Sequence, residues 1–146
     1  MYKRLFDLLT ASFCLFIITP IALIIIILIK LDSKGSFLFS TYRVGKNNKL
    51  FKIYKFRSMK SEPDHIGAGI TSVGDSRITR MGDMLRKFRL DEIPQLYNVI
   101  KGDMSIIGPR PLTFEAFNSF PSKFKKILLS VKPGLSGVGS IVFRNE

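Results

Sequence analysis

Two adjacent carboxylates, Asp91 and Glu92, stand in the segment RLDEIPQLYNVIKGDMSIIGPRP, which covers residues 89–111 of a strongly basic chain. The 146 residues carry a formal charge of +12, so an anionic partner is expected. A carboxylate is already ionised at neutral pH and can attack phosphorus without a base. Neighbouring acids can also hold Mg²⁺ together with phosphate oxygens. The pair therefore indicates phosphate chemistry.

Asp91 also has a purely structural interpretation. If a helix begins there, Asp91 is its N-cap, Glu92 is a first-turn acid and Pro94 occupies the tolerated first turn. Exposed amides and the positive helix end would then lower the pKa of the Asp91 carboxylate and attract phosphate. On local grounds the cap and the nucleophile remain alternatives.

Arg110 lies between Pro109 and Pro111 and has two interpretations as well. The prolines can simply form a stiff turn. They also restrict the backbone that aims the guanidinium, and a guanidinium can bind a diphosphate through two parallel hydrogen bonds.

Other catalytic chemistries find little support in the composition. One histidine, His65, and one cysteine, Cys14, cannot supply the ligands of a zinc site, and a single cysteine forms no intramolecular disulfide, which favours a cytosol-facing domain. Serine or cysteine nucleophiles lack a base. A hard cation is compatible with the acids, and the candidates are Asp91, Glu92 and Asp103.

A run of seven cations without an acid crosses residues 43–60. Its structural interpretation is a solvated strand face beside anionic lipid headgroups. Aromatic residues alternate with the cations, but the chain has no Gly-aromatic signature of RNA-binding sheets, so nucleic acid is not expected as a partner. The cations are Arg43, Lys46, Lys49, Lys52, Lys55, Arg57 and Lys60.

Residues 8–29 form a membrane element: 22 residues without a charge, about 33 Å as a helix. The apolar run is too long for a typical cleavable signal peptide. Pro20 near its middle predicts a kink. Because Lys3 and Arg4 precede the run and Lys30 follows it, both ends favour the cytoplasmic face, as in a re-entrant hairpin. An ordinary kinked span is the alternative.

The remaining sequence divides into four stretches. Residues 37–59 predict two strands joined at the turn-like residues 45–49, and residues 60–76 predict a loop. Residues 77–101 predict two helices joined at Asp91, with Gly102 as a C-terminal cap. Residues 113–131 predict an amphipathic helix pair divided by Pro121, which either packs on the core or lies at the lipid headgroups.

These features resemble the bacterial sugar transferase family, the monotopic phosphoglycosyl transferases that move a sugar phosphate from a UDP-sugar to polyprenyl phosphate. The resemblance covers nearly the whole chain and is most specific in its longest block. The blocks are KRLFD at 3–7, the apolar segment with its central proline, RVG at 43–45, FKIYKFRSM at 51–59, RITRMG at 77–82, LDEIPQLYNVIKGDMSIIGPRP at 90–111 and KPGLSG at 132–137.

The resemblance implies roles for individual residues. Asp91 is expected to attack the sugar-bearing phosphate, release UMP and carry the phosphosugar until polyprenyl phosphate attacks. Glu92 is expected to be its partner acid, and both are expected to hold Mg²⁺. Contacts to phosphate, nucleotide or headgroup are implied for Arg86, Arg110, Lys55, Arg57 and, by alignment, Arg144.

The resemblance also implies an α+β fold, with a re-entrant membrane helix over residues 1–36 and a cytoplasmic catalytic domain of hairpin strands and amphipathic interfacial helices over residues 37–146. The expected location is the cytoplasmic face of the bacterial plasma membrane, at the first membrane step of a surface glycan pathway. The expected partners are a UDP-sugar, polyprenyl phosphate and membrane lipids, and a homo-oligomer is left open.

Some positions depart from the family pattern. Thr41 stands where glutamine is frequent, and after KPGLSG the chain reads VGSIVFRNE without the usual glutamine, so the sugar is left open. The chain ends at Glu146 where relatives usually continue, which predicts a short or C-terminally truncated member. The alternative from another functional class is a non-catalytic, basic, membrane-anchored lipid-binding or scaffold module.

Overall fold

The computed structural model describes residues 2–60 and 75–137 of the chain. It begins with a long apolar helix, α1, over Tyr2–Asp32, which has a mean hydropathy of 3.0 in its most apolar 18-residue window. Its length and composition suffice to cross a membrane. The helix continues through Pro20 without an intervening turn.

A strand hairpin follows, as the sequence predicted. Strand β1 covers Leu38–Val44 and pairs with β2, Leu50–Phe56. A short 3-10 turn over Lys46–Asn48 joins them, and Asn47 there has a positive φ of 56°, which asparagine tolerates better than most residues. In β2 the side chains of Phe51 and Ile53 are buried.

The helices after the hairpin are short. Helix α2 covers Arg80–Lys87, with the Thr79 hydroxyl accepting from the amide of Gly82 as its N-cap. Helix α3 covers Gln95–Lys101 and ends at Gly102 with a φ of 96°, which confirms the predicted cap. The predicted amphipathic pair is also confirmed, as α4 over Phe114–Ser119 and α5 over Ser122–Ser130.

The sequence analysis did not predict a second sheet. Strand β3, Ser105–Ile107, pairs in parallel with β4, Gly134–Ser136, with Ser105 opposite Gly134 and Ile107 opposite Ser136. Just beyond β3, a Cβ atom at Gly108 would lie 2.5 Å from the carbonyl oxygen of Lys132. The close approach of the two chain segments therefore requires glycine at this position.

The contacts divide the chain into two units, each with its own buried cluster. Unit 1 comprises residues 1–18, 40–54 and 94–146, within the described ranges. In this unit, the Asp7 carboxylate is buried and accepts hydrogen bonds from the Ser105 hydroxyl and the amide of Ile106, each about 3.0 Å long. The buried apolar cluster of unit 1 is Ala11, Phe51, Ile53, Leu96, Val99 and Met104.

Unit 2 comprises residues 19–39 and 55–93, again within the described ranges. Its buried cluster is Ile25, Ile29, Phe56 and Leu85, contributed by α1, β2 and α2. The mixture of helices and strands agrees with the expected α+β class. The division at residue 36 stays a prediction, as does most of the loop over residues 60–76, which lies outside the described residues.

Candidate active site

Asp91 and Glu92 lie in a 3-10 turn, Leu90–Glu92, between α2 and α3. Helix α3 begins only at Gln95, with Pro94 in the cap position. The prediction that Asp91 is the N-cap of a helix is therefore wrong. Proline has a φ suited to a helix start and no amide hydrogen to satisfy, so it favours a helix that begins after the acidic pair.

Arg89 directs the chain out of α2 and into this turn. Its φ and ψ of 56° and 23° are left-handed, a conformation that costs energy for a residue with a side chain. Its amide donates to the carbonyl of Arg86 at 3.1 Å, as at a helix C-terminus closed by a left-handed residue. The position of Asp91 thus depends on a strained residue two positions earlier.

Lys55, near the end of β2, joins both acids. Its ammonium nitrogen lies 2.7 Å from Oε1 of Glu92 and 3.7 Å from Oδ2 of Asp91. The three side chains are 23%, 18% and 13% exposed respectively, so the cluster is partly shielded from water. The structure thus brings together three of the predicted site residues.

The electrostatics of Asp91 are set by opposing effects. Burial raises the pKa of Asp91 above its ordinary value, and the neighbouring charge of Glu92 raises it further. Lys55 and, more weakly, Arg86 of α2 lower the same pKa. The two cations therefore favour the ionised carboxylate that a nucleophile needs, against the cost of burying it.

The acid pair is a suitable donor set for Mg²⁺. This ion commonly takes one or two carboxylates and completes its shell with phosphate oxygens and water. Within residues 2–60 and 75–137, no group of three or more His, Cys, Asp or Glu side chains could hold a metal, so a bound ion needs oxygens from elsewhere. Asp103, the third candidate from the sequence, pairs instead with Lys101 at 3.0 Å.

Arg57 has contacts of a different kind. Its side chain is buried, and its two terminal nitrogens donate to the carbonyls of Ser33 and Lys34 at 2.6 and 2.9 Å. These carbonyls lie just beyond the C-terminal end of α1. Phosphate contact by Arg57 stays a prediction, whereas the structure shows the guanidinium bound to main-chain oxygens.

Arg110 belongs to unit 1 and is exposed there. It lines a shallow cleft in this unit, and its charge lowers the pKa of Arg43 after the larger effect of burial. Its contact with a nucleotide stays a prediction, and Arg144 lies outside the described residues. The cleft is lined by Val44, Gly45, Pro109, Arg110, Leu112, Phe117, Leu128, Leu129 and Pro133.

The sequence analysis missed the role of Asn98. This fully buried residue of α3 donates to the carbonyl of Lys52 at 2.7 Å and accepts from the amide of Tyr54 at 3.2 Å. Its carboxamide thereby takes the place of a neighbouring strand beside β2, immediately before Lys55. The available signal was a single amide among the apolar positions Leu96, Val99 and Ile100.

The profile of the family described as bacterial sugar transferase matches residues 1–146 of this chain. The chain belongs to this family. As a bacterial sugar transferase it carries the acid pair and Lys55 within the matched region, which agrees with the resemblance found in its sequence blocks.

Relatives of this bacterial sugar transferase carry specific names. The UDP-N-acetylgalactosamine-undecaprenyl-phosphate N-acetylgalactosaminephosphotransferase of Aeromonas hydrophila is 43% identical over 96% of this chain. The undecaprenyl-phosphate glucose phosphotransferase of Komagataeibacter xylinus is 37% identical over 95%. The matched segments make up 34% and 27% of those longer proteins. Exopolysaccharide production protein ExoY of Rhizobium meliloti is 36% identical, covering 100% of this chain and 71% of ExoY.

Proposed function

We propose that this protein transfers a sugar phosphate from a UDP-sugar to undecaprenyl or another polyprenyl phosphate, as the first membrane step of a surface glycan pathway. The observation that carries the proposal is the partly buried Asp91, next to Glu92 and within 3.7 Å of the Lys55 ammonium. The names of relatives that act on undecaprenyl phosphate support the same reaction.

The reaction proceeds in two displacements at one phosphorus. A carboxylate oxygen of Asp91 attacks the phosphorus that bears the sugar, the bond from this phosphorus to the oxygen of the other phosphate breaks, and UMP leaves. An oxygen of polyprenyl phosphate then attacks the same phosphorus. The bond to Asp91 breaks, which restores the carboxylate and releases the polyprenyl-diphosphate sugar.

Cations offset the repulsion between an anionic nucleophile and a diphosphate. Lys55 and Arg86 act on Asp91 in the described geometry, and Arg110 is proposed to hold the nucleotide. The carboxylate of Glu92 accepts a hydrogen bond from the Lys55 ammonium, which keeps this cation beside the reacting carboxylate. Mg²⁺ bound by Asp91 and Glu92 would supply further charge neutralisation on the phosphates.

A polyprenyl phosphate acceptor requires an enzyme held at the membrane, and both ends of α1 bear on how it is held. At the N-terminal end, in unit 1, Arg4 donates to the carbonyls of Val99 and Ile100 at 2.6 and 2.7 Å. At the C-terminal end, in unit 2, Arg57 donates to the carbonyl of Ser33. Each end is therefore bound to a segment outside the helix.

The charges that flank the apolar run support a re-entrant α1. Lys3 and Arg4 precede the run and Lys30 follows it, and cations at both ends favour the cytoplasmic face of the plasma membrane for both ends. An ordinary kinked span is the alternative.

Helix α5 suits a position at the lipid headgroups. Every residue of α5 is exposed or half-buried, and the side chains of Phe124 and Ile127 are 54% and 59% exposed. Lys123 and Lys126 are exposed on the same helix. An apolar helix surface flanked by lysines favours an anionic membrane interface over packing in a protein core.

The activity is tested with the full chain in lipid nanodiscs containing polyprenyl phosphate and Mg²⁺. UMP release is measured over a panel of UDP-sugars, and we expect release from at least one of them that is lost in Asp91→Asn. When polyprenyl phosphate is omitted, mass spectrometry should find the phosphosugar on Asp91. Normal turnover by Asp91→Asn contradicts the assignment, and no UMP release with any UDP-sugar favours the scaffold alternative.

The topology is tested independently of activity. Tyr2→Cys in a Cys14→Ala background is exposed to a membrane-impermeant maleimide, in intact cells and in opened membranes. A re-entrant helix predicts labelling only after the membranes are opened. Labelling in intact cells contradicts it and favours a spanning helix.

A further inference from the structure

Arg57 is a buried cation bound to the main chain at the end of the apolar helix. Its side chain is only 6% accessible. One terminal nitrogen, Nη1, donates to the carbonyl of Lys34 at 2.9 Å. The other, Nη2, donates to the carbonyl and the hydroxyl of Ser33 at 2.6 and 2.8 Å, with the carbonyl of Ile29 at 3.5 Å.

These acceptors lie at the last turn of α1 and just beyond it: Ser33 and Lys34 follow the helix, and the carbonyl of Ile29 also accepts from the amide of Ser33 at 3.1 Å. The last carbonyls of a helix have no amide donor from a following turn, and they carry the negative end of its dipole. A guanidinium supplies several rigid donors and a positive charge in one side chain. Arg57 therefore places a positive charge at the C-terminal end of α1 and binds the main chain that leaves it.

A second contact attaches the same helix end to α2. The carboxylate of Asp32 accepts from the amide of Met81, in the first turn of α2, at 3.2 Å. The buried cluster of Ile25, Ile29, Phe56 and Leu85 lies among the same three elements. The end of α1, the end of β2 and α2 are thus packed and hydrogen-bonded within unit 2.

Lys55 and Arg57 are separated only by Phe56, whose side chain is buried in that cluster. A shift of Arg57 with the end of α1 must therefore move Phe56 and the main chain that carries Lys55. Lys55 in turn lies against both carboxylates of the acid pair. The end of α1 is therefore linked to the acid pair through three consecutive residues at the end of β2, namely Arg57, Phe56 and Lys55.

We propose that Arg57 is a positioning residue, which fixes Lys55 and the acid pair relative to the membrane helix by binding the end of α1. The proposal rests on the proposed function, because its kinetic readout is sugar-phosphate transfer. Arg57 itself touches neither phosphate in this role. A misplacement of about 1 Å at a reacting group can cost about 100-fold in rate, so a defect in this contact should appear in kcat.

The first test compares Arg57→Lys with Lys52→Gln, an exposed cation on the same strand, in the full chain in nanodiscs. Lysine keeps the charge but replaces the rigid fork that binds Ser33 and Lys34 with a single nitrogen on a flexible stem. We expect Arg57→Lys to lower kcat about 10–100-fold with the KM for the UDP-sugar unchanged. A rise in that KM with kcat retained would identify Arg57 as a phosphate ligand and overturn the proposal.

Gly35→Ala disturbs the same contact from the helix side. A Cβ atom at Gly35 would collide with Nη1 of Arg57, and its φ of 118° is unfavourable for alanine. We expect this variant to reproduce the kcat defect and the double variant to be little worse than either single one. If Gly35→Ala left kcat unchanged, or if the defects of the two variants were fully additive, the proposed contact between Arg57 and the end of α1 would be contradicted.

Hydrogen exchange of residues 29–35 gives a readout that needs no catalysis. Both variants should exchange faster there than the wild type and Lys52→Gln, including when no UDP-sugar supports turnover. Unchanged exchange in a folded Arg57→Lys protein would overturn the proposal. Faster exchange in the two variants, together with no UMP release by the wild type, would instead refute the proposed function alone.

Discussion

The ammonium group of Lys55 lies 2.7 Å from Oε1 of Glu92, across 37 positions of sequence. This ion pair keeps a positive charge beside Asp91, whose carboxylate is buried and next to a second negative charge. Glu92 thus affects Asp91 in two ways, because its own charge raises the pKa of Asp91 while its contact with Lys55 retains the cation that lowers it.

Replacing Lys55 with methionine should move the acid limb of the pH-rate profile to higher pH. Without the ammonium, burial and Glu92 raise the pKa of Asp91 unopposed by this cation, so a smaller fraction is ionised at a given pH. The measurement is kcat for UMP release between pH 5 and 9. Lys52→Met, on the same strand but exposed, serves as the control, and an unshifted acid limb in Lys55→Met would contradict the role of Lys55.

Asp91→Asn should abolish transfer while raising the thermal stability at pH 7. Because the pKa of Asp91 is raised by folding, this group stabilises the fold at low pH, and that contribution is lost as the pH rises through the folded pKa. Asparagine removes the buried charge. The thermal midpoint of unfolding should therefore rise at pH 7, and this gain should shrink toward pH 4. A lower thermal midpoint at pH 7 would refute the claim that burying the Asp91 charge costs stability.

Asn98→Ala should destabilise the fold by about 2–4 kcal/mol. The change leaves the carbonyl of Lys52 and the amide of Tyr54, both partly shielded from water, without their partner. Denaturant unfolding in detergent measures the loss. Asn118→Ala, at an exposed position of α4, should change the free energy of unfolding by less than about 0.5 kcal/mol. Equal effects of the two substitutions would refute the bracing of β2 by α3.

Gly82→Ala should destabilise the protein although alanine is the better helix former. Helix propensity alone favours alanine by about 1 kcal/mol. A Cβ atom at Gly82, however, would collide with the main-chain carbonyl of Ser58, which also accepts the amide of Thr79 at 3.2 Å. We expect a net loss of about 1–3 kcal/mol, and Lys87→Ala in the same helix should be nearly neutral. A stabilising Gly82→Ala would show that α2 does not approach Ser58 this closely.

The placement of α5 can be checked with a fluorescent probe whose emission depends on polarity. Attached at Phe124→Cys in the Cys14→Ala background, the probe should emit at shorter wavelength in nanodiscs of anionic lipid, because position 124 enters the apolar interface. The same probe at Asn118→Cys should emit as in water. Equal emission at the two positions would refute a lipid-facing α5.

The elements with local signals could be predicted from the sequence. The turn residues 45–49 between aromatic and β-branched runs indicated the hairpin, and Pro121 divided an amphipathic run into α4 and α5. The break at Asp91 was also predicted, because the apolar spacing of two helices is interrupted there. In each case a few neighbouring residues determine the backbone.

The details of the site depend on features that carry no local signal. The 3-10 turn of Asp91 follows Arg89, which has a positive φ. An arginine does not indicate a positive φ in the sequence, whereas a glycine would. The bonds from Arg57 to the end of α1 and from Asn98 to β2 join residues more than 20 positions apart. The same holds for β3 and β4, whose three residues each are too few to show a pattern.

The bond between Asp7 and Ser105 can form only late in the synthesis of the protein. Its two partners are 98 positions apart, so the ribosome must add almost a hundred residues after Asp7 before the carboxylate meets its donors. At ordinary translation speeds this takes roughly 5–20 s. During that interval a helix with many exposed apolar side chains has left the ribosome before its partners in the chain exist, and such exposed apolar surface is prone to aggregation.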